Sequence, residues 1–277
     1  MRFWTLAGAM ACLLLLLVTG AEAAQPVPWE MKFQPAATPV MEFITNFHNG
    51  LLILISIITL FVMGLLLVVI VRFNAKANPN PSTKTHNTLL EVVWTVVPVI
   101  ILVVIAVPSF RLLYFMDRAP DADMTVKAIG HQWYWSYEYP DHGNFGFDAL
   151  MIPDSDLKAG QPRLLTADNA VVVPVNTKVR LLTAAEDVIH AWAIPSFGVK
   201  IDAVPGRTNE TWFQVTREGT YYGQCSELCG VNHGFMPIQV EVVSKEKFAA
   251  WVAEKRRAAG LPDESKPVRL VQASPAN

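Results

Sequence analysis

Cysteine is scarce in these 277 residues: there are three, Cys12, Cys225 and Cys229. None lies in a Cys-x-x-Cys-His motif, which excludes a covalently attached c-type haem in this chain. Charge is scarce as well. Asp, Glu, Lys and Arg make up 17% of the chain against 52% hydrophobic residues, with mean hydropathy +0.31. That balance is too apolar for an ordinary soluble domain but leaves room for a sizeable water-facing part. Charge is absent from Gly50 to Val71 and from Val92 to Phe110, and each run is long enough to cross a ~30 Å hydrocarbon core. The second run contains Pro98 and Pro108, which membrane helices tolerate where neighbours satisfy the freed backbone groups. Acid is missing between Arg72 and Glu91, where Lys76 and Lys84 add positive charge, so the positive-inside rule puts this loop in the cytoplasm and both flanks outside. Internal repeats and low-complexity tracts are also lacking.

What is present begins with Arg2, an apolar stretch from Leu13 to Val18, and "GAEAAQ" with small residues at Ala21 and Ala23. This reads as a secretory signal peptide cut near Ala23 or Ala24; as an uncleaved first span the apolar run is short. Cys12 then leaves with it. The expected division is residues 1–24 signal peptide, 25–116 transmembrane hairpin with spans about 50–71 and 92–113, 117–243 an extracytoplasmic β domain, and 244–277 a helix and flexible tail.

From Asp117 to Val243 the texture is of short β-rich runs parted by Pro, Gly, Asn and Asp: "MTVKAIG", "WYWSYEY", "RLLTADNAVVVP", "KVRLLTAA", "ETWFQV", "GTYYGQC", "PIQVEVV". They predict an antiparallel sandwich or barrel of roughly 125 residues, with Val171 to Val173 and Val179 to Leu182 in its core. This part holds sixteen acidic and nine basic residues, a net charge of −7, while Ser244 to Asn277 holds seven basic and four acidic, net +3. An acidic domain argues against nucleic acid and towards a basic soluble partner.

The stretch "YYGQCSELCGVNHGFM" concentrates Cys225, Cys229, His233 and Met236. Outside the cytoplasm two cysteines ordinarily pair, but a disulfide over so short a loop stabilises little and leaves the His and Met unexplained. Thiolate, imidazole and thioether are the donors of copper electron-transfer sites; structural zinc has no use for the methionine. A single-copper site needs one cysteine fewer. Two thiolates can bridge two coppers, which then requires a second histidine. Among His48, His86, His131, His142 and His190, the last is best placed, at a strand end in "EDVIHAWAIPSFG".

With "EDVIHAWAIPSFGVKIDAVPGRTNETWF", "GTYYGQCSELCGVNHGFMPIQVEVV" and "GHQWYWSYEYP", the chain resembles subunit II of cytochrome c oxidase over nearly its whole mature length. The resemblance implies a two-helix hairpin followed by an all-β cupredoxin, a Greek-key sandwich, carrying a binuclear copper centre, CuA. By that resemblance Cys225 and Cys229 bridge two coppers, His190 and His233 bind one each, and Met236 and the Glu227 carbonyl are weak axial ligands. The Glu227 side chain binds a magnesium ion shared with subunit I. Trp133 lies exposed above the copper and receives the electron from cytochrome c, whose lysines meet Glu138, Asp148 and Asp187, with Glu186 nearby. Glu91 stands at the mouth of a proton pathway; from the residues alone it equally marks a helix end. The implied setting is the bacterial inner membrane, with both termini periplasmic, in contact with lipid and the other oxidase subunits, with the oxygen-reducing site in subunit I. Quinol oxidase subunit II lacks the copper ligands that are complete here, and nitrous oxide reductase needs a further large domain. A membrane-anchored copper storage or carrier protein would use the same donors but has no need of Trp133 or two spans.

Overall fold

The computed structural model describes residues 24–117 and 121–262. The expected signal peptide, up to residue 23, and the tail beyond residue 262 lie outside the described residues. Two units are distinguished, one on residues 40–117 and the other on the rest.

The first unit is helical. Helix α1 is Pro39–Arg72, 34 residues, and α2 is Thr88–Asp117, 30 residues. Pro39 supplies a φ preset for the first turn, and Glu42 and Arg72 match the helix dipole at its two ends. Both helices run past the apolar cores read from hydropathy, so each extends beyond a ~30 Å hydrocarbon layer at 1.5 Å per residue. Their most apolar windows have hydropathy 3.2 and 2.8, and none of either window is buried inside the protein. So much bare apolar surface suits lipid as the surrounding solvent. Asn87 caps α2 by accepting from Leu90 N at 3.2 Å, and the Glu91 carboxylate accepts from Asn87 N at 3.3 Å. Glu91 thus closes the start of a helix, in the reciprocal manner of a capping box.

The second unit is a β-sandwich. Its strands are β1 Met124–His131, β2 Tyr134–Tyr139, β3 Phe145–Ala149, β4 Val171–Pro174, β5 Lys178–Ala185, β6 His190–Ile194, β7 Val199–Ala203, β8 Asn209–Gln214, β9 Gly219–Gln224 and β10 Pro237–Val243. One sheet has the order β3-β2-β1-β5-β8, a second β4-β10-β9, and β6-β7 form a two-stranded ribbon. Period-two alternation sends Met124, Val126 and Ala128 of β1, and Val179 and Leu181 of β5, inward. On β2 the same alternation buries Trp135, Tyr137 and Tyr139, so three of the seven residues of "WYWSYEY" are core. Tyr139 ties the two sheets, its hydroxyl donating to Val172 O at 2.9 Å and accepting from Val172 N at 3.0 Å. Of the run from Arg163, only its last four residues form a strand. β1 and β5 run parallel, as do β4 and β10.

Helix α3, Lys245–Ala258, is capped by Ser244, whose side chain accepts from Lys247 N. It buries Phe248 and Val252, while Trp251 packs edge-on against Tyr139 and Phe145. The segment 24–38 also docks on the sandwich. Ala24 pairs with β9, Ala37 exchanges backbone bonds with Ser196 and Thr216, and Thr38 Oγ1 donates to Phe197 O at 2.7 Å.

Candidate metal centre

Strand β6 starts at His190, immediately after an exposed turn, and all five of its residues are buried. β9 crosses close by: a Cβ at Gly223 would collide with the Ala193 carbonyl, so only glycine lets these backbones pass. The chain then leaves β9 at Cys225 and returns to β10 at Pro237. Cys225 N bonds to Met236 O at 3.3 Å across the neck of this loop, and Ser226 N bonds to Ala191 O at 3.0 Å, which holds it against β6. The loop therefore folds back over the histidine that precedes it by 35 residues.

Inside the loop the two sulfurs lie 3.8 Å apart, both as free, buried cysteines. His190 Nδ1 is 3.9 Å from the Cys225 sulfur, and His233 Nδ1 is 3.6 Å from that of Cys229. The Met236 sulfur stands 3.6 Å from Cys229, and the Glu227 carbonyl 3.3 Å from Cys225. The ligand atoms of His190, Cys225 and Cys229 all fall within 4.8 Å of one another. Each thiol thus has its own imidazole, and all six predicted donors converge. This soft, mixed donor set fits copper.

Electrostatics favour a bound cation. Burial opposes ionisation of Cys225, but bonding with His190, with backbone at Glu227 and Ala191, and with His233 outweighs it and brings the thiol to about 6. Burial and the neighbouring Cys225 push Cys229 up to about 12. The opposite shifts mean that the two thiols resist ionising together, and holding both as thiolates takes positive charge between them. His190, fully buried, has its pKa lowered by burial but raised on balance by bonds to Cys225 and Asp187. Its Nε2 lies 2.8 Å from Asp187 Oδ1, which leaves Nδ1 facing the sulfur. Partial burial raises the Asp187 pKa, yet bonds from His190 and from the amides of Val188 and Gln132 hold it below the usual carboxylate value.

The other predicted residues are arranged around this cluster unequally. Trp133 is half-buried, packs on the core, and donates from Nε1 to Cys229 O at 3.1 Å. It is less exposed than the resemblance implies. The Glu227 side chain reaches towards Lys200, at 3.9 Å. Glu138 pairs with Lys127 at 3.0 Å, Asp148 accepts from Ser136 Oγ at 2.6 Å on an exposed edge, and Glu186 is 3.5 Å from His131. Glu91 belongs to the helical unit. Sequence reasoning missed Gln132, whose Nε2 donates to Cys229 O at 2.8 Å, and missed Gly130, where a Cβ would stand 2.7 Å from the His190 ring. The only signal for either was its place beside Trp133 in "GHQW".

Two long apolar helices joined to a β-sandwich in which one loop and the start of β6 gather two thiols, two imidazoles and a thioether define a membrane-anchored metalloprotein of the cupredoxin type. The family model for the cytochrome c oxidase subunit II periplasmic domain matches residues 124–243, and that for the subunit II transmembrane domain matches residues 26–112. A probable cytochrome c oxidase subunit 2 of Rickettsia felis is 55% identical over 258 residues, covering 93% of this chain and 82% of that protein. The cytochrome c oxidase subunit 2 of Phytophthora megasperma is 52% identical over 233 residues, covering 82% of this chain and 88% of the other. A crystal structure of the periplasmic domain of subunit II of cytochrome oxidase from Bradyrhizobium japonicum is 56% identical, covering 51% of this chain and 99% of that one, with TM-score 0.48. The chain belongs to the cytochrome c oxidase subunit II family. It is accordingly a subunit of an oxidoreductase complex, with a copper centre and two spans fitting an inner-membrane protein.

Proposed function

We propose that this chain accepts electrons from cytochrome c at a binuclear CuA centre and passes them to haem in subunit I of the oxidase. There four electrons and four protons convert one O2 to two waters, coupled to proton translocation. The observation that carries this reading is the convergence of two buried thiols, one buried and one half-buried imidazole and a buried thioether within a single loop and the strand beneath it.

Copper held by this donor set would supply a one-electron transfer site. Cys225 and Cys229 would hold the coppers through their thiolates, His190 and His233 would each contribute an imidazole, and Met236 and the Glu227 carbonyl would be the weaker donors. Trp133 takes the electron from the docked donor; its indole N–H reaches the Cys229 carbonyl, so one residue spans from surface to ligand. Glu138, Asp148 and Asp187, acids of a domain of net charge −7, contribute to the field that steers a lysine-rich partner. The Glu227 carboxylate, a hard donor, suits a magnesium ion shared with subunit I. Glu91, at the cytoplasmic start of α2, marks the entrance to a proton pathway. The basic loop between the helices supports a periplasmic position for the sandwich and both termini. The proposed division is signal peptide 1–24, hairpin 25–116, copper domain 117–243 and C-terminal extension 244–277, with residues 24–38 ahead of α1 docked on the sandwich.

The test is a metal count and electron paramagnetic resonance of the full chain purified with its partner subunits. Two coppers in this chain sharing one unpaired electron, seen as a seven-line hyperfine pattern, support the reading. A four-line, single-copper pattern, or a Cys225–Cys229 disulfide that takes no metal, refutes it.

A further inference from the structure

The structure assigns Asp187 as a positioning residue, a strut that locks the copper ligand His190 to the turn carrying Trp133. This inference rests on the proposed function and gives the acid a task inside the site.

Asp187 lies on the exposed turn before β6, but its carboxylate points inward. Oδ1 stands 2.8 Å from His190 Nε2 and accepts from Val188 N at 2.6 Å; Oδ2 accepts from Gln132 N, also at 2.6 Å. Both oxygens are engaged, and the side chain is 32% exposed where that of neighbouring Glu186 is 71% exposed. Gln132 directly precedes Trp133, and its own side chain donates to Cys229 O, the atom that also receives the indole N–H. The path from His190 through Asp187 and Gln132 to Cys229 therefore joins three segments distant in sequence. At each end stands a proposed copper ligand, and Trp133 is fixed between them.

The His190 ring has little freedom besides this bond. Gly130 lies against one side with no room for a Cβ, and Trp135 meets the ring edge-on with centroids 6.0 Å apart. The carboxylate selects the remaining variable, which ring nitrogen carries the proton, and makes Nδ1 the stronger donor. Short bonds from N–H groups to a carboxylate are among the strongest a protein makes, so the strut is stiff. A purely docking acid would stay mostly in solvent, as Glu186 does apart from its 3.5 Å contact with His131.

The experiment compares Asp187→Asn with Asp187→Glu in the assembled, copper-loaded oxidase. Asp187→Glu keeps the charge but displaces the carboxylate by one methylene. With a strut, both variants alter the copper hyperfine pattern and lose copper to a chelator about tenfold faster or more. Both also slow transfer within a preformed donor complex. If Asp187→Glu behaves as wild type throughout and Asp187→Asn changes only the low-salt association rate, Asp187 is a docking acid and the strut is overturned. A wild-type protein with no binuclear copper signal removes the proposed function, and the strut with it; that outcome is read before any variant is made.

Discussion

At Trp133 the loss of one N–H should separate copper binding from electron uptake. The indole N–H donates to Cys229 O at 3.1 Å while the ring packs on the core. Trp133→Phe keeps an apolar ring but drops the bond that joins the ring to the Cys229 carbonyl, so reduction by cytochrome c should slow several-fold. The resonance spectrum should stay as in wild type, since no ligand moves. Stopped-flow reduction at low salt checks this, and an unchanged rate would take Trp133 out of the path. At this scale the ligands on the loop were legible because Cys225, Cys229, His233 and Met236 fall within twelve residues at offsets that soft-metal chemistry explains. His190 was legible more faintly, as a histidine at a strand end. The inward use of Asp187 and the part played by Gln132 were not. Whether a carboxylate three residues before a histidine faces solvent or the ring depends on the turn between them, and an amide's partner 97 residues away leaves no local trace.

Among the elements, α3 offers the clearest stability prediction. Its Phe248 is 7% exposed and packs with Trp251 and His142, away from every proposed ligand. Phe248→Ala should cost about 3 to 5 kcal/mol through lost burial and a residual cavity. For a domain of this size that lowers the melting temperature by roughly 6 to 20 °C. Calorimetry of the full chain should record the drop, with an unchanged copper spectrum in the folded protein; a negligible drop would mean that α3 adds little to the sandwich. The helix was readable from its spacing and mixed charge, and β1, β2 and β5 from their alternation. β6 gives no alternation because it is covered on both faces, so its five buried residues carry no period. The docking of segment 24–38 was hidden because its backbone bonds to Ser196, Thr216 and Thr220, and side-chain bonds such as Thr38 Oγ1 to Phe197 O, join residues far apart in sequence and leave no local pattern.

Across the whole molecule, hydropathy made the two spans plain, whereas the parallel pairing of β1 with β5 and of β4 with β10 depends on contacts between strands tens of residues apart, which period-two patterning does not encode. Charge is the other property of the whole. The net −7 of residues 117–243 is spread over an exposed surface, and Asp148 and Glu138 lie on the adjacent strands β3 and β2. Their local partners, Ser136 and Lys127, leave the long-range field of the acids in place, since distant charges add whatever their near contacts. Neutralising both as Asp148→Asn and Glu138→Gln therefore weakens the field by two charges without touching the ligand loop. Association with cytochrome c should slow several-fold at about 10 mM salt, where screening reaches only beyond ~30 Å, and approach the wild-type rate near 1 M, where the screening length is ~3 Å. Copper content and transfer within a preformed complex should not change. A deficit of equal size at both salt concentrations would mean that the two acids act through short contacts, and that steering arises elsewhere on the acidic surface.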